Sequence, residues 1–327
     1  MDLRRSRRIF RTFQSDTRGR KTLTPVPSCL NDAPLQKLQS RLLEKAGVAL
    51  SVKREDLADS RFGGNKWRKL KYNLLQARKQ NKHTLLTFGG AWSNHIYATA
   101  AAGRHFGFNT IGIIRGEAHQ ALNPALRFAQ DCGMQLAYID RETYRNKTSA
   151  EFLNQLDERF GDFYLIPEGG SNQLALEGCA EIVNDISDPF DMITVACGTG
   201  ATLAGIVTAL NSRQHATGFA VLKGAGFLDS AVKKMLAENH SVVSSNWHIE
   251  LDYHFGGYAK TTTGLFDFIR QFRSDHGIEL DAVYTGKMFY GLFDLIEKGA
   301  FEKGTRIVAV HSGGLQGNAG FPQLSLD

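Results

Sequence analysis

The 327-residue chain carries 39 Lys and Arg against 33 Asp and Glu, a net charge of +6, with 42% hydrophobic and 22% charged residues. That length and balance exclude a collagenous, disordered or disulfide-scaffold protein and leave two domains or one large α/β unit. Within residues 1 to 21, Arg4, Arg5, Arg7, Arg8, Arg11, Arg18, Arg20 and Lys21 face only Asp2 and Asp16, so this arm holds the whole excess and the rest is formally neutral. A neutral body argues against a nucleic-acid partner, which needs the basic surplus on the fold itself.

The arm is expected to be a basic, disordered leader, with an acidic-partner tether or a transit-like peptide as the alternatives. Cys29, Cys132, Cys179 and Cys197 form no Cys-x-x-Cys pair, and the ten histidines show no ligand spacing. No metal is expected, and a reducing, cytoplasmic setting fits.

The first strand-like run is 50–53. Behind it comes Phe62-Gly63-Gly64-Asn65-Lys66-Trp67-Arg68-Lys69, which opens a helix predicted over 66–79 with Trp67, Leu70, Leu74 and Leu75 facing inward. Lys66 alone reads equally well as a solvated helix lysine. The preceding glycines permit close backbone approach that a surface helix does not need, and Arg68, Lys69 and Lys71 are cations able to lower a lysine pKa and make it a carbonyl-trapping nucleophile.

A strand at 84–88 leads through Gly89-Gly90-Ala91-Trp92-Ser93-Asn94-His95 into a helix at 94–106, with Ser93 or Asn94 as its cap. Strands at 110–114, 135–139 and 163–166 alternate with helices at 122–131 and 148–159. Pro167-Glu168-Gly169-Gly170-Ser171-Asn172 then starts a helix at 173–187. Met192 to Leu210 contains no charge, yet its glycines divide it into a strand at 193–196, a turn and a helix at 202–212, so no membrane span is expected.

In that turn Gly198 and Gly200 are followed by Leu203, and no acid lies between Asp191 and Asp229, which disfavours a nicotinamide cofactor. A helix-start phosphate cradle remains compatible. The pattern continues with a strand at 218–222, helices at 228–238, 262–274 and 286–298, and a strand at 306–311 before His311-Ser312-Gly313-Gly314. Strands alternating with helices predict a doubly wound α/β architecture with two sheets, its ligands beyond the carboxyl ends of the strands.

Lys53-Arg54-Glu55-Asp56-Leu57, Phe62 to Lys69, Ser93-Asn94-His95, Pro167 to Asn172, Gly198 to Thr202, Tyr284-Thr285-Gly286-Lys287 and His311 to Gly314 occur in that order. From about Thr24 onward the chain resembles the 1-aminocyclopropane-1-carboxylate (ACC) deaminase and D-cysteine desulfhydrase family. The resemblance implies a pyridoxal 5'-phosphate (PLP) enzyme of fold type II, each domain a mostly parallel twisted sheet flanked by helices. Residues 22–70 with 176–327 would form the large PLP-binding domain and 71–175 the small one.

It further implies that Lys66 links covalently to PLP, that Asn94 bonds the cofactor's phenolic oxygen, and that Ser93 meets the substrate carboxylate or assists proton transfer. The amides of Gly198, Thr199, Gly200, Ala201 and Thr202 would take the phosphate, Tyr258 and Tyr284 would flank the substrate, and Thr285 and Ser312 would adjoin the cofactor ring. Deaminases of the family carry glutamate and leucine at the last two positions. Neutral hydroxyls there suit β-elimination from D-cysteine better than ACC ring opening, with ACC deaminase or a non-catalytic amino-acid-binding relative as the alternatives. Trp92, where the family usually has glutamine, His95, and a tail of thirteen residues beyond Gly314 depart from its pattern. A small amino acid as substrate and a homodimeric assembly complete the expectation.

Overall fold

The computed structural model describes residues 26, 33–59, 62, 64–118, 121–239 and 245–324, so the basic arm lies outside the described residues. In chain order the elements begin with β1 (Leu35–Leu38), α1 (Arg41–Ala46), β2 (Ala49–Lys53) and α2 (Lys66–Lys79). There follow β3 (Thr84–Gly89), α3 (Asn94–Phe106), β4 (Asn109–Arg115), α4 (Pro124–Asp131), β5 (Met134–Ile139), α5 (Arg141–Arg145), α6 (Ala150–Phe160) and β6 (Tyr164–Ile166). The remainder is α7 (Gln173–Asn184), β7 (Met192–Cys197), α8 (Ala201–Ala209), β8 (His215–Ala220), α9 (Phe227–Glu238), β9 (Trp247–Glu250), α10 (Thr263–His276), α11 (Thr285–Glu297) and β10 (Arg306–Val310).

The chain divides into two compact units, one of Val26 with Leu74–Glu168 and the other of the described residues from Ala33 to Asn73 together with those from Gly169 onward. The first holds a sheet of order β5-β4-β3-β6, parallel throughout. The second holds a sheet of order β1-β2-β10-β7-β8-β9, parallel except for the β1 edge. Side chains alternate across this sheet. Val195 and Val308 enter one core cluster with Leu176, Ala204 and Val232, while Ala196 and Ala309 enter another with Leu265, Phe289 and Leu292. A parallel sheet buried on both faces explains why its strands read as apolar runs.

Several expectations shift. Leu75 is 38% exposed rather than inward, whereas Trp67, Leu70 and Leu74 are buried together with Arg68, Lys69, Lys71, Asn73 and Ala77 of the same helix. β8 begins at His215 instead of Gly218, since pairing of Met192 with His215 sets its start and Val221 and Leu222 already lie in the following turn. β1 and β9 were not expected, both being four-residue edge strands recognised by their partners rather than by their own pattern. The charge-free run resolves into β7, a turn and α8, and no described helix is long and apolar enough to cross a membrane.

Candidate active site

Lys66 is the first residue of α2, and the turn before it is set against the end of β10. Gly64 has φ +84, and a Cβ there would lie 2.2 Å from the Ser312 carbonyl oxygen. Asn65 N–H donates to that same oxygen at 3.0 Å. Only glycine satisfies both demands. His311 steadies the turn from behind, its Nε2–H donating to the Glu279 carbonyl at 2.7 Å.

α7 packs against the body of α2. A Cβ on Gly178 would fall 1.8 Å from the Arg68 carbonyl oxygen, so the absence of a side chain lets the helices approach. The Arg68 guanidinium bonds Glu55 at 2.9 and 3.1 Å, Glu181 at 3.2 Å and Asp185 at 2.6 Å. Lys71 also reaches Glu181. Removing one partner from a buried pair such as Arg68–Glu55 typically costs about 3–5 kcal/mol, so this pair fixes the orientation of the helix that carries Lys66.

The Lys66 Nζ donates to Asn65 Oδ1 at 2.8 Å, and Asn65 Nδ2 donates in turn to Thr202 Oγ1 at 3.1 Å. Part of the side chain stays open, but the protein packed round its ammonium strips away water. Burial foremost, and then the Lys69 ammonium, draw the Lys66 pKa from 10.5 to about 7, with Cys179 and Asp281 pulling the other way. Of the three cations expected to crowd it, only Lys69 does so, because Arg68 and Lys71 are held by carboxylates. The buried thiols nearby are not nucleophiles: burial raises Cys179 and pushes Cys197 up to about 12.

Thr202 belongs to the first turn of α8, whose N-cap, Gly200 (φ 80), provides no side-chain cap. The leading amides of this helix are therefore suited to an anion. Ser171 Oγ–H donates to Thr199 Oγ1 at 2.8 Å, which leaves the Thr199 proton to be given elsewhere. A Cβ on Gly198 would stand 3.2 Å from the Tyr284 ring. Tyr284 in turn meets Tyr258 edge-on, with ring centroids 6.1 Å apart.

Thr285 is fully buried. Its hydroxyl donates to Asp281 Oδ1 at 2.8 Å and accepts the Asp281 N–H at 2.8 Å. Asp281 also accepts the amides of Val283, Tyr284 and Thr285, at 2.9, 2.8 and 2.9 Å. Four donors fill the four lone-pair positions of a carboxylate.

Lys66, Gly198 to Thr202, Tyr258, Tyr284, Thr285 and Ser312 thus belong to one unit, while Ser93 and Asn94 belong to the other. There Ser93 caps α3 by accepting the Ile96 N–H at 3.3 Å, and a Cβ on Gly89 would come within 2.7 Å of its Oγ. His95 does not disturb the helix start: its ring is buried, with Nε2 2.8 Å from Thr87 Oγ1. Trp92 is 38% exposed. Sequence reasoning did not single out Asn65, Ser171 or Asp281. The first two lie inside quoted motifs, and an Asp whose carboxylate takes the amides two to four residues on is the turn signal that marks the third.

The chain matches the family model described as pyridoxal-phosphate dependent enzyme over residues 28–313. It belongs to that family. A bifunctional D-cysteine desulfhydrase/ACC deaminase of Arabidopsis thaliana, named as mitochondrial, is 33% identical over 296 residues, covering 83% of this chain and 73% of its own. A D-cysteine desulfhydrase of Yersinia enterocolitica is 30% identical over 305 residues, 87% of this chain and 92% of its own. The crystal structure of an ACC deaminase homologue superposes with a TM-score of 0.77 at 32% identity, covering 91% of this chain and 93% of that one.

The chain is accordingly a PLP-dependent enzyme with the fold type II architecture. Its residues fit the cofactor: a desolvated lysine amine stands two hydrogen bonds from an uncapped helix start, one suited to an aldehyde and the other to a phosphate.

Proposed function

We propose that the chain converts D-cysteine by β-elimination to pyruvate, hydrogen sulfide and ammonia. Bound PLP supplies an electron sink for charge developing at the substrate α-carbon. In this reading the Lys66 amine, neutral above about pH 7, holds the cofactor and afterwards moves the proton at the α-carbon. The amides of Gly198 to Thr202 hold the phosphate with the Thr199 hydroxyl beside them. Asn94 donates to the phenolic oxygen, Ser93 orients the substrate carboxylate or relays a proton, and Tyr258 and Tyr284 enclose the substrate.

One observation carries the choice of substrate. The resemblance puts Thr285 and Ser312 beside the cofactor ring, and the carboxylate closest to Thr285, that of Asp281, is saturated by four donors. No acid is then offered to the ring nitrogen from this position, so the sink is shallow. Departure of a thiolate from the substrate β-carbon would need only such a shallow sink, whereas opening a cyclopropane would demand a deeper one.

The test compares keto-acid release from D-cysteine and from ACC under identical conditions, with the higher kcat/KM expected for D-cysteine. A higher value for ACC overturns the substrate assignment. Borohydride reduction and peptide mapping are expected to find the pyridoxyl group on Lys66, and Lys66→Ala is expected to abolish turnover. Label on any other lysine removes Lys66 from the scheme. The same proposal includes a homodimer in a reducing cytoplasm, supported by the resemblance and by the buried free thiols of Cys132, Cys179 and Cys197. Light scattering that gives the mass of a single chain excludes the dimer.

A further inference from the structure

The lysine two residues beyond Thr285 has no part in that scheme. Lys287 is 1% exposed, and its Nζ donates to the main-chain carbonyls of His254 at 2.9 Å and Gly257 at 2.7 Å. Those two carbonyls also close successive turns, accepting the amides of Gly257 at 3.0 Å and Lys260 at 3.1 Å. The loop so gathered is a strained one. Phe255 (φ 54), Gly256 (φ 91), Gly257 (φ 122) and Ala259 (φ 54) all occupy the left-handed half of conformational space, which Phe and Ala adopt only when held there.

Tyr258 sits between the strained residues, with its ring edge-on to Tyr284. The near end of the loop has an anchor of its own, the Tyr253 hydroxyl donating to Asp294 at 2.6 Å. Within the loop, His254 Nδ1 accepts the Gly256 N–H at 2.9 Å. Neither contact reaches the Tyr258 turn, which Lys287 joins to α11.

An ammonium enclosed against neutral carbonyls is costly, and burial lowers the Lys287 pKa from 10.5 to about 8 although Asp281 opposes the shift. Methionine would fill the same volume without that desolvation. What methionine lacks is a pair of donors aimed at two carbonyls.

We propose that Lys287 is a positioning residue, drawing the 254–257 and 257–260 turns onto the start of α11 and so holding Tyr258 against Tyr284 for the reaction. This rests on the reading of Tyr258 as a catalytic group. The experiment uses the holoenzyme with Lys287→Met, Tyr258→Ala and the double variant, read by steady-state kinetics and by hydrogen exchange of the 253–260 segment. Lys287→Met is expected to lower kcat about tenfold with KM within about threefold, and to speed exchange in that segment while β7, β8 and β10 keep their protection. The double variant is expected to match Tyr258→Ala within about twofold, because the lysine acts through a ring already removed.

Losses that multiply in the double variant show a general structural defect and overturn the proposal, as does unchanged exchange. Full turnover of Tyr258→Ala removes Tyr258 from the proposed function; full turnover of Lys287→Met beside an impaired Tyr258→Ala overturns the positioning role alone. If Lys287→Met does not accumulate as folded protein, Lys287→Gln takes its place in the cycle. The wild-type exchange map then decides as well, since amides of Gly256, Gly257 and Lys260 exchanging as fast as an exposed loop contradict the clamp.

Discussion

The Lys66 amine, proposed to hold the cofactor, loses its proton near pH 7, chiefly through burial and then through one neighbouring cation. Folding therefore releases a proton in the window between about 7 and the ordinary value of 10.5, where the unfolded chain keeps it. The folded-state pKa is depressed, so the stability linked to Lys66 is complete above the unfolded value and lost as pH falls through about 7. Replacing the lysine by methionine abolishes this linkage. We predict that the urea midpoint of the apoprotein rises relative to that of Lys66→Met as pH increases from about 7 to about 10. A difference between the two that stays flat over this range would falsify the claim that the ammonium is desolvated.

At the level of elements, the placement of Lys66 depends on the close pairing of α2 with α7 and of α7 with α8. Gly178 allows the first, and Gly205 the second, where a Cβ would stand 2.5 Å from Cys179 Cβ and 2.7 Å from the Leu176 carbonyl oxygen. Gly178→Ala is expected to destabilise by about 1–3 kcal/mol, the usual cost of overpacking. The clash is with backbone and no side chain can yield, so α2 must shift and PLP loading fall with it. Denaturant midpoints and the cofactor's visible absorbance measure the two effects. A variant with both unchanged shows that the helices slide apart without consequence.

On the scale of the whole molecule, the charge surplus and the chemistry belong to different parts of the chain. Residues 1–21 carry the formal excess of +6 and precede the 28–313 segment that matches the family. Deleting them is predicted to change kcat/KM by less than about twofold, roughly 0.4 kcal/mol. Loss of PLP-loaded protein on truncation refutes the independence of arm and catalyst.

The sequence by itself determined the α/β alternation, the strand-end turns and the lysine of interest, because periodicity, glycine placement and capping are local and act within a few residues. The helix start at Ser93 and the division of the charge-free 192–210 run were legible for that reason. The ring of cations round Lys66 was not. Arg68 and Lys71 look like its crowding neighbours in the linear chain, yet Glu55, Glu181 and Asp185, far away in sequence, claim them. The work of Lys287 escaped notice likewise, since it depends on carbonyls 33 and 30 residues away that the fold delivers to it. Tertiary structure decided these matters because an electrostatic or hydrogen-bonding partner is chosen by distance in space, which local pattern does not encode.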